Sequence, residues 1–311
     1  MINKKKLDKI LNKVEKPARY IGMEQNSITK DLDKVKVKFA FCFPDIYDVG
    51  MSHLGLHILY NLINEVEDFV CERVFSPWID MEELMRKENI PLYTLENKEE
   101  VKNFDFLGFT LQYEMSYTNI LNILDLAEIP LLSKDRDDSH PLIIAGGPCA
   151  YNPEPLADFI DVFVLGEGEE VILELLNKYK EHKEKNWDKE LFLKDILSIE
   201  GIYIPKFYDI KYNDDGTIKE MIPLIDEVPI KIKKRIIRDL HSMYSPKTMI
   251  VPYIETIHDR VVLEIFRGCT HGCRFCQAGM IYRPIREKLP SRLLELAEEL
   301  IKNTGYEDIS L

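Results

Sequence analysis

Four short apolar runs, set apart by segments of helical periodicity, place the strongest limit on how this chain can fold. The runs are 35-VKVKFAFCF, 105-DFLGFTL, 141-PLIIAGG and 161-DVFVLG. The segments 53-HLGLHILYNLINEV, 117-YTNILNILDLAEI and 168-GEEVILELLNKYKEHKE carry apolar residues at spacings that gather them on one side of a helix. Strand–helix alternation of this kind predicts an α/β fold, a Rossmann-like parallel sheet with helices on both faces, over residues 1–185. In such sheets a ligand sits beyond the carboxyl ends of the strands. The residues at those ends are 43-FPDIYDVGMSHLG, 112-QYEMSYTN, 145-AGGPCAYNPEP and 165-LGEGEE. Gly146, Gly147, Gly166 and Gly168 allow sharp turns or close backbone approach, and four such loops on one edge predict a ligand crevice. The sequence has neither GxGxxG nor GxxxxGK[ST], which argues against nicotinamide and nucleoside-triphosphate chemistry.

Residues 186–256 are less regular. The runs 202-IYIPKFYDIKY, 217-TIKEMIPLI and 228-VPIKIKKRII, with a turn at 213-NDDG and five punctuating prolines, predict a small β-rich connector. Within it 231-KIKKRIIR alternates charged and aliphatic residues and reads as an edge strand protected by lysine. Nucleic-acid contact is the weaker reading of that run. The chain carries 41 Lys and Arg against 54 Asp and Glu, a net charge of -13, which argues against a surface clothed in nucleic acid. No window approaches the ~18 uninterrupted apolar residues of a membrane span. The opening MINKKKLDKILNKVEK lacks the apolar core of a secretory signal, so a cytoplasmic location is expected.

In that compartment the six cysteines read as ligands, nucleophiles or core residues rather than disulfides. Cys42, Cys71 and Cys149 are scattered and read as small apolar fillers. Cys269, Cys273 and Cys276 instead follow a strand signal, Val261 to Phe266, in a loop opened by Gly268. A helix is predicted from Arg292 to Asn303. Three thiolates so spaced can converge on one metal centre, and thiolate-rich sites select zinc, Cu(I) or iron–sulfur clusters. Structural zinc normally takes four protein ligands in two separated pairs, whereas here no second pair exists and His271 lies too close to complete a good tetrahedron. Three thiolates on a four-iron cluster leave one iron open to a ligand.

Cys269-x-x-x-Cys273-x-Phe275-Cys276, preceded by Arg267-Gly268, resembles the signature of the radical S-adenosylmethionine superfamily. The following 282-YRPIRE is similar to the barrel start of its cobalamin-associated branch. PARYIG, FPDIYDVGMSHLG, ERVFSPWIDMEEL, FTLQYEMSYTN, AGGPCAYNPEPLADF and GEGEE resemble an uncharacterised family in which a cobalamin-binding-like domain precedes the radical domain. The resemblance extends over about residues 15–311. It implies that Cys269, Cys273 and Cys276 ligate a 4Fe–4S cluster whose open iron chelates S-adenosylmethionine. One electron, from a donor such as a flavodoxin or ferredoxin, would cleave the sulfonium C–S bond to give methionine and a 5′-deoxyadenosyl radical. Phe275 would lie near the cluster and adenine, with Arg267, Arg274, Arg283 and Arg286 adding positive charge around the site.

Two departures bear on what carries over. Domains that supply a histidine as the lower axial ligand of cobalamin show DxHxxG. Here Asp48 precedes His53 by five positions, so His53 is expected to cap or pack the next helix, with the four glycines left as a corrinoid crevice. The radical domain resembled is a longer β/α barrel, and the closing TGYEDISL reads as the opening of its second strand. The expectation is therefore an incomplete radical domain over 257–311, inactive by itself. A non-catalytic corrinoid- or iron–sulfur-binding module, and a structural zinc protein, are the alternatives. Related architectures act on tRNA, tetrapyrroles, lipids and peptides, and the residues do not select a substrate.

Overall fold

The computed structural model describes residues 2–311. Two short helices, α1 (Lys4–Leu11) and α2 (Ala18–Ile21), precede β1 (Val37–Phe43). After α3 (Tyr47–Gly50) and α4 (Leu54–Glu65) come β2 (Phe69–Phe75) and α5 (Ile79–Glu88). Then follow β3 (Phe106–Thr110), α6 (Tyr117–Leu126), β4 (Leu142–Gly146) and β5 (Val162–Val164). α7 (Gly168–Lys185), α8 (Lys189–Asp195) and β6 (Ile202–Tyr203) complete the unit.

The six strands form one sheet in the order β2-β1-β3-β4-β5-β6, parallel except where β6 runs against β5. The expected α/β fold is what the chain adopts. β1 is apolar except at Lys38 and buried almost throughout, so it needs cover on both faces. α7 supplies part of that cover with Val171, Ile172, Leu175, Leu176 and Tyr179, buried residues three and four apart. The Tyr179 ring lies 4.6 Å from that of Phe106 on β3 and 5.5 Å from that of Phe192 on α8. α8 and β6 thus belong to the same core, although they come from the stretch expected to form a connector. β2 and α5 have no counterpart among the expected elements.

The remainder of that stretch holds one hairpin, β7 (Tyr208–Tyr212) against β8 (Ile218–Pro223). Its turn is the expected 213-NDDG, closed by the Gly216 N–H donating to Asn213 O at 2.9 Å. The edge strand expected over 231-KIKKRIIR does not form. Only Arg235 makes a bridge, parallel to Gly166 beyond the end of β5. Its guanidinium is drawn to Glu174 and Glu170 on α7, both 2.6 Å away. The charges of this run are thus partly spent inside the molecule instead of protecting an edge.

The last stretch begins with β9 (Val261–Val262) and β10 (Phe266–Arg267), so the single strand expected over 261–266 is interrupted. After α9 (Ala278–Ile281) come β11 (Arg286–Glu287), α10 (Pro290–Thr304) and β12 (Ile309–Ser310). β12 pairs in parallel with β9, and Leu296 and Leu300 of α10 pack with Val261 and Leu263 in a small second core. This is one β/α/β unit. β10 and β11 pair antiparallel, with Arg267 opposite Arg286, and between them rises the excursion that carries the three clustered cysteines.

Candidate functional site

The strand order reverses between β1 and β3, the point where an open parallel sheet leaves a crevice. A cavity of about 300 Å³ lies there, at the small end of ligand sites. Its inner wall is apolar, formed by Phe39 and Phe41 of β1, Ile58 and Leu59 of α4, and Ile144 and Ile172. Gly146, Gly147, Gly166 and Gly168 all line it. Two of these are glycine for reasons of backbone. Gly166 has φ +106° and a Cβ there would lie 2.1 Å from Arg235 O; Gly147 has φ +103° and a Cβ would lie 2.8 Å from Leu111 O. At Gly146 and Gly168 a Cβ would meet only ordinary contacts.

His53 also borders the cavity. Its Nδ1 accepts from the Leu56 N–H at 3.2 Å and caps α4, as expected of it. Burial pushes the imidazole down to about 4, so it is neutral near pH 7. Cys149, on the loop after β4, is buried, and burial with Glu114 nearby pushes its thiol up to about 11. It is protonated, the state of a structural cysteine.

The outer wall of the cavity comes from the β10–β11 excursion, through Glu264, Arg267, Ile281, Tyr282, Arg283 and Arg286. Several contacts join it to the carboxyl edge of the sheet. Tyr151 O–H donates to Ile281 O at 3.2 Å, and Lys234 Nζ donates to Ile281 O at 2.7 Å and Arg283 O at 2.8 Å. Arg267 Nη2 lies 2.5 Å from Glu169 Oε1, and its Nε 2.6 Å from Glu264 Oε1. Arg286 Nη1 lies 2.5 Å from Glu167 Oε2, while Lys288 Nζ reaches Glu264 Oε2 at 2.8 Å. Three carboxylates and three cations thus share a largely buried cluster. Burial alone would raise the Glu264 carboxyl, but Arg267 and Lys288 outweigh it and hold it below the usual range. The same carboxylates raise Arg267 despite its burial.

Arg267 and Arg286 are therefore not free positive charge around the cysteines, as expected from the sequence, but are neutralised by glutamates of the sheet's edge. Arg274 and Arg283 are exposed, and of the two only Arg283 borders the cavity. Phe275 is 92% exposed and lies outside the cavity lining. The charged residues that tie the excursion down, Glu167, Glu169 and Lys234, were not legible as such. GEGEE stands out in the sequence for its glycines and its resemblance, and Lys234 lies in a run that reads as an edge strand protected by lysine.

Cys269 is half-buried, Cys273 and Cys276 are exposed. The Cys276 N–H donates to Cys273 O at 3.1 Å, so these two cysteines share a tight turn. Gly279 of α9 packs under the loop, where a Cβ would lie 2.9 Å from His271 O. Among the described residues no three His, Cys, Asp or Glu side chains are already gathered to hold a metal ion. By donor chemistry the loop suits a thiolate-bound cluster: three sulfurs, two of them reachable from solvent.

Residues 55–205 match the family described as radical SAM proteins, N-terminal. Over that span the chain is similar to the N-terminal part of radical SAM proteins. It is 29% identical over 277 residues to an uncharacterized protein of Methanocaldococcus jannaschii, a match spanning 88% of this chain and 48% of that protein. It is 28% identical over 147 residues to the anaerobic magnesium-protoporphyrin IX monomethyl ester cyclase of Rubrivivax gelatinosus, spanning 47% of this chain and 22% of the cyclase. The chain thus spans about half the length of one curated relative and about a fifth of the other. No solved structure matches it. The radical SAM match falls on the α/β unit, and Cys269, Cys273 and Cys276 lie outside residues 55–205.

Proposed function

We propose that this chain is the cofactor-binding part of a radical SAM enzyme, with Cys269, Cys273 and Cys276 as the ligands of a 4Fe–4S cluster. The observation that supports this most directly is the placement of a three-cysteine loop between the first strand and the helix of a β/α/β unit, with residues that flank the loop lining a ligand-sized cavity. When bound and reduced, such a cluster supplies the electron that cleaves S-adenosylmethionine to methionine and a 5′-deoxyadenosyl radical. The chain's own contribution is to present three thiolates from one short loop and to hold that loop against the α/β unit. A flavodoxin or ferredoxin as electron donor and a cytoplasmic location fit the reading. Among the described residues no helix is long and apolar enough to cross a membrane.

The test is anaerobic reconstitution of the full-length protein with iron and sulfide, followed by dithionite and S-adenosylmethionine. Formation of 5′-deoxyadenosine is expected. An intact cluster that yields none under several reductants would defeat the enzyme reading and leave an iron–sulfur binding module. Stoichiometric zinc in place of iron would defeat the cluster reading.

The crevice supports a second cofactor. Its apolar wall, its four glycines and its position at the switch point suit a corrinoid, one edge or arm of which would enter while the rest extended through the mouth. His53 spends its Nδ1 on the α4 cap, so the reading does not use it as an axial ligand. Cob(II)alamin titrated into the full-length protein is expected to bind, and Gly168→Leu to weaken it about tenfold or more by obstructing the wall. Binding unaltered by that substitution would take the crevice out of consideration.

A further inference from the structure

The two ends of the cysteine excursion are fastened to the N-terminal end of α7 in the α/β unit. Arg267 ends β10, two residues before Cys269, and Arg286 begins β11 directly opposite. Every nitrogen of the Arg267 fork faces a carboxylate: Nε and Nη2 meet Glu264, Nη2 also meets Glu169 at 2.5 Å, and Nη1 stands 3.4 Å from Glu167 Oε1. Glu167 then turns its other oxygen to Arg286 Nη1 at 2.5 Å, and the same nitrogen donates to Ile237 O at 2.6 Å. Glu167 thereby spans the neck of the excursion, and Glu169 anchors the side that leads into Cys269. Side-chain exposure is 6% at Glu169, 12% at Glu167 and Arg267, and 8% at Arg286, so water does not compete freely for these pairs. Just inside the neck, Gly268 has φ +103° and a Cβ there would lie 2.8 Å from Pro284 O. The loop has little slack where it leaves the sheet.

We propose that Glu167 and Glu169 are positioning residues for the ligand loop: through Arg267 and Arg286 they set where Cys269 stands relative to Cys273 and Cys276. The proposal rests on the reading of this loop as the cluster-binding loop. It goes beyond that reading by assigning the loop's placement to carboxylates roughly a hundred residues away, on the unit that holds the crevice. All four side chains border the cavity, so an occupant of the crevice meets the same staple that fixes the cysteines. The cavity and the ligand loop are then linked through shared groups, and occupancy of either is felt at the other.

The staple predicts a difference among the cysteines that does not depend on any metal. In the metal-free protein, alkylation followed by peptide mapping reads each thiol separately. In Glu169→Gln the half-buried Cys269 is expected to label about tenfold faster than in the wild type, as local opening becomes easier. Cys273 and Cys276 are already exposed and should change by less than about twofold, and Cys42 and Cys71, buried in the main sheet, should stay protected. Glu169→Asp, which keeps the charge, should restore most of the slow rate. If Cys42 and Cys71 label as well, the variant is globally unfolded, and Glu167→Gln, which leaves Arg267 two carboxylates, takes its place in the same assay. An unchanged Cys269 rate in the folded variant overturns the proposal. After reconstitution, the variant's cluster should differ from the wild type in electron paramagnetic resonance line shape and midpoint potential. A wild-type protein that shows the labelling pattern but forms no cluster would retain the staple and defeat the cluster reading instead.

Discussion

Arg73→Met is expected to destabilise the protein by about 3–5 kcal/mol, the cost of leaving buried carboxylates without their cation. Arg73 lies on the edge strand β2 with its side chain wholly buried, as are those of Glu24 and Glu96. Its Nη2 stands 2.7 Å from Glu24 Oε2 and its Nε 2.7 Å from Glu96 Oε1. Tyr47 O–H donates to Glu24 Oε1 at 2.7 Å, and the Arg73 N–H donates to Glu96 Oε2 at 2.8 Å. The Glu96 side chain therefore does for β2 what a further strand would do, accepting a backbone N–H on the open edge. Burial alone would raise the Glu24 carboxyl; Arg73 and the Tyr47 hydrogen bond outweigh it and hold it below the usual range. The sign follows from that direction. In the wild type this group's contribution is present above the unfolded carboxyl pKa and is lost as pH falls through the depressed folded value. Without Arg73, burial dominates, the folded value rises above the unfolded one, and stability is lost as pH rises. The deficit of the variant is thus greatest near neutral pH and shrinks toward pH 4. Thermal melts should show it as a loss of about 10 °C at pH 7, at the ~2–4 °C per kcal/mol of large domains. Adding Glu24→Gln and Glu96→Gln to Arg73→Met should recover most of it. A single variant that melts like the wild type at pH 7 would show that the buried charges are not coupled.

The same residues explain where the sequence was legible. β1, β3, β4 and β5 are largely apolar runs because each is covered on both faces, and they are found where periodicity placed them. β2 reads 69-FVCERVF, and its Glu72-Arg73 pair interrupts the pattern although every residue of the strand is buried. Those charges are satisfied by Glu24, Glu96 and Asn97, residues of loops whose proximity no local pattern reports. A related limit applies at the cysteine loop. The thiols and the four crevice glycines stood out because spacing and residue type mark them. The partners of Arg267 and Arg286 did not, because an arginine beside a cysteine motif has the same sequence whether it faces a cluster or a distant glutamate. Tertiary placement alone converts two expected ligand-binding charges into a staple. The connector differs again: Phe192, Ile202 and Tyr203 are apolar enough to belong to any core, and only the pairing of β6 with β5 and the packing of Phe192 against Phe106 and Tyr179 assign them to the main unit.

Cys273→Ala is expected to remove the brown chromophore of the reconstituted protein, to about a tenth of the wild-type absorbance or less, whereas Cys149→Ala leaves it in place. The contrast follows from the surroundings of the two thiols. Cys273 is exposed, stands between two other cysteines of one loop, and shares a tight turn with Cys276. With two thiolates left, the loop retains too few ligands to hold a four-iron cluster from one side. Cys149 is buried on the loop after β4, where its raised thiol pKa keeps it protonated, and its loss removes only a small side chain from a packed turn. Cys269→Ala and Cys276→Ala should behave as Cys273→Ala does, and iron and sulfide counted per protein should fall together with the absorbance. Melting of the metal-free variants separates ligand loss from misfolding: the cysteine loop lies outside both apolar cores, so Cys273→Ala should melt like the metal-free wild type. A chromophore lost equally from Cys149→Ala and Cys273→Ala would move the ligand set toward the crevice. A chromophore retained in all three loop variants would remove the loop from the chemistry altogether.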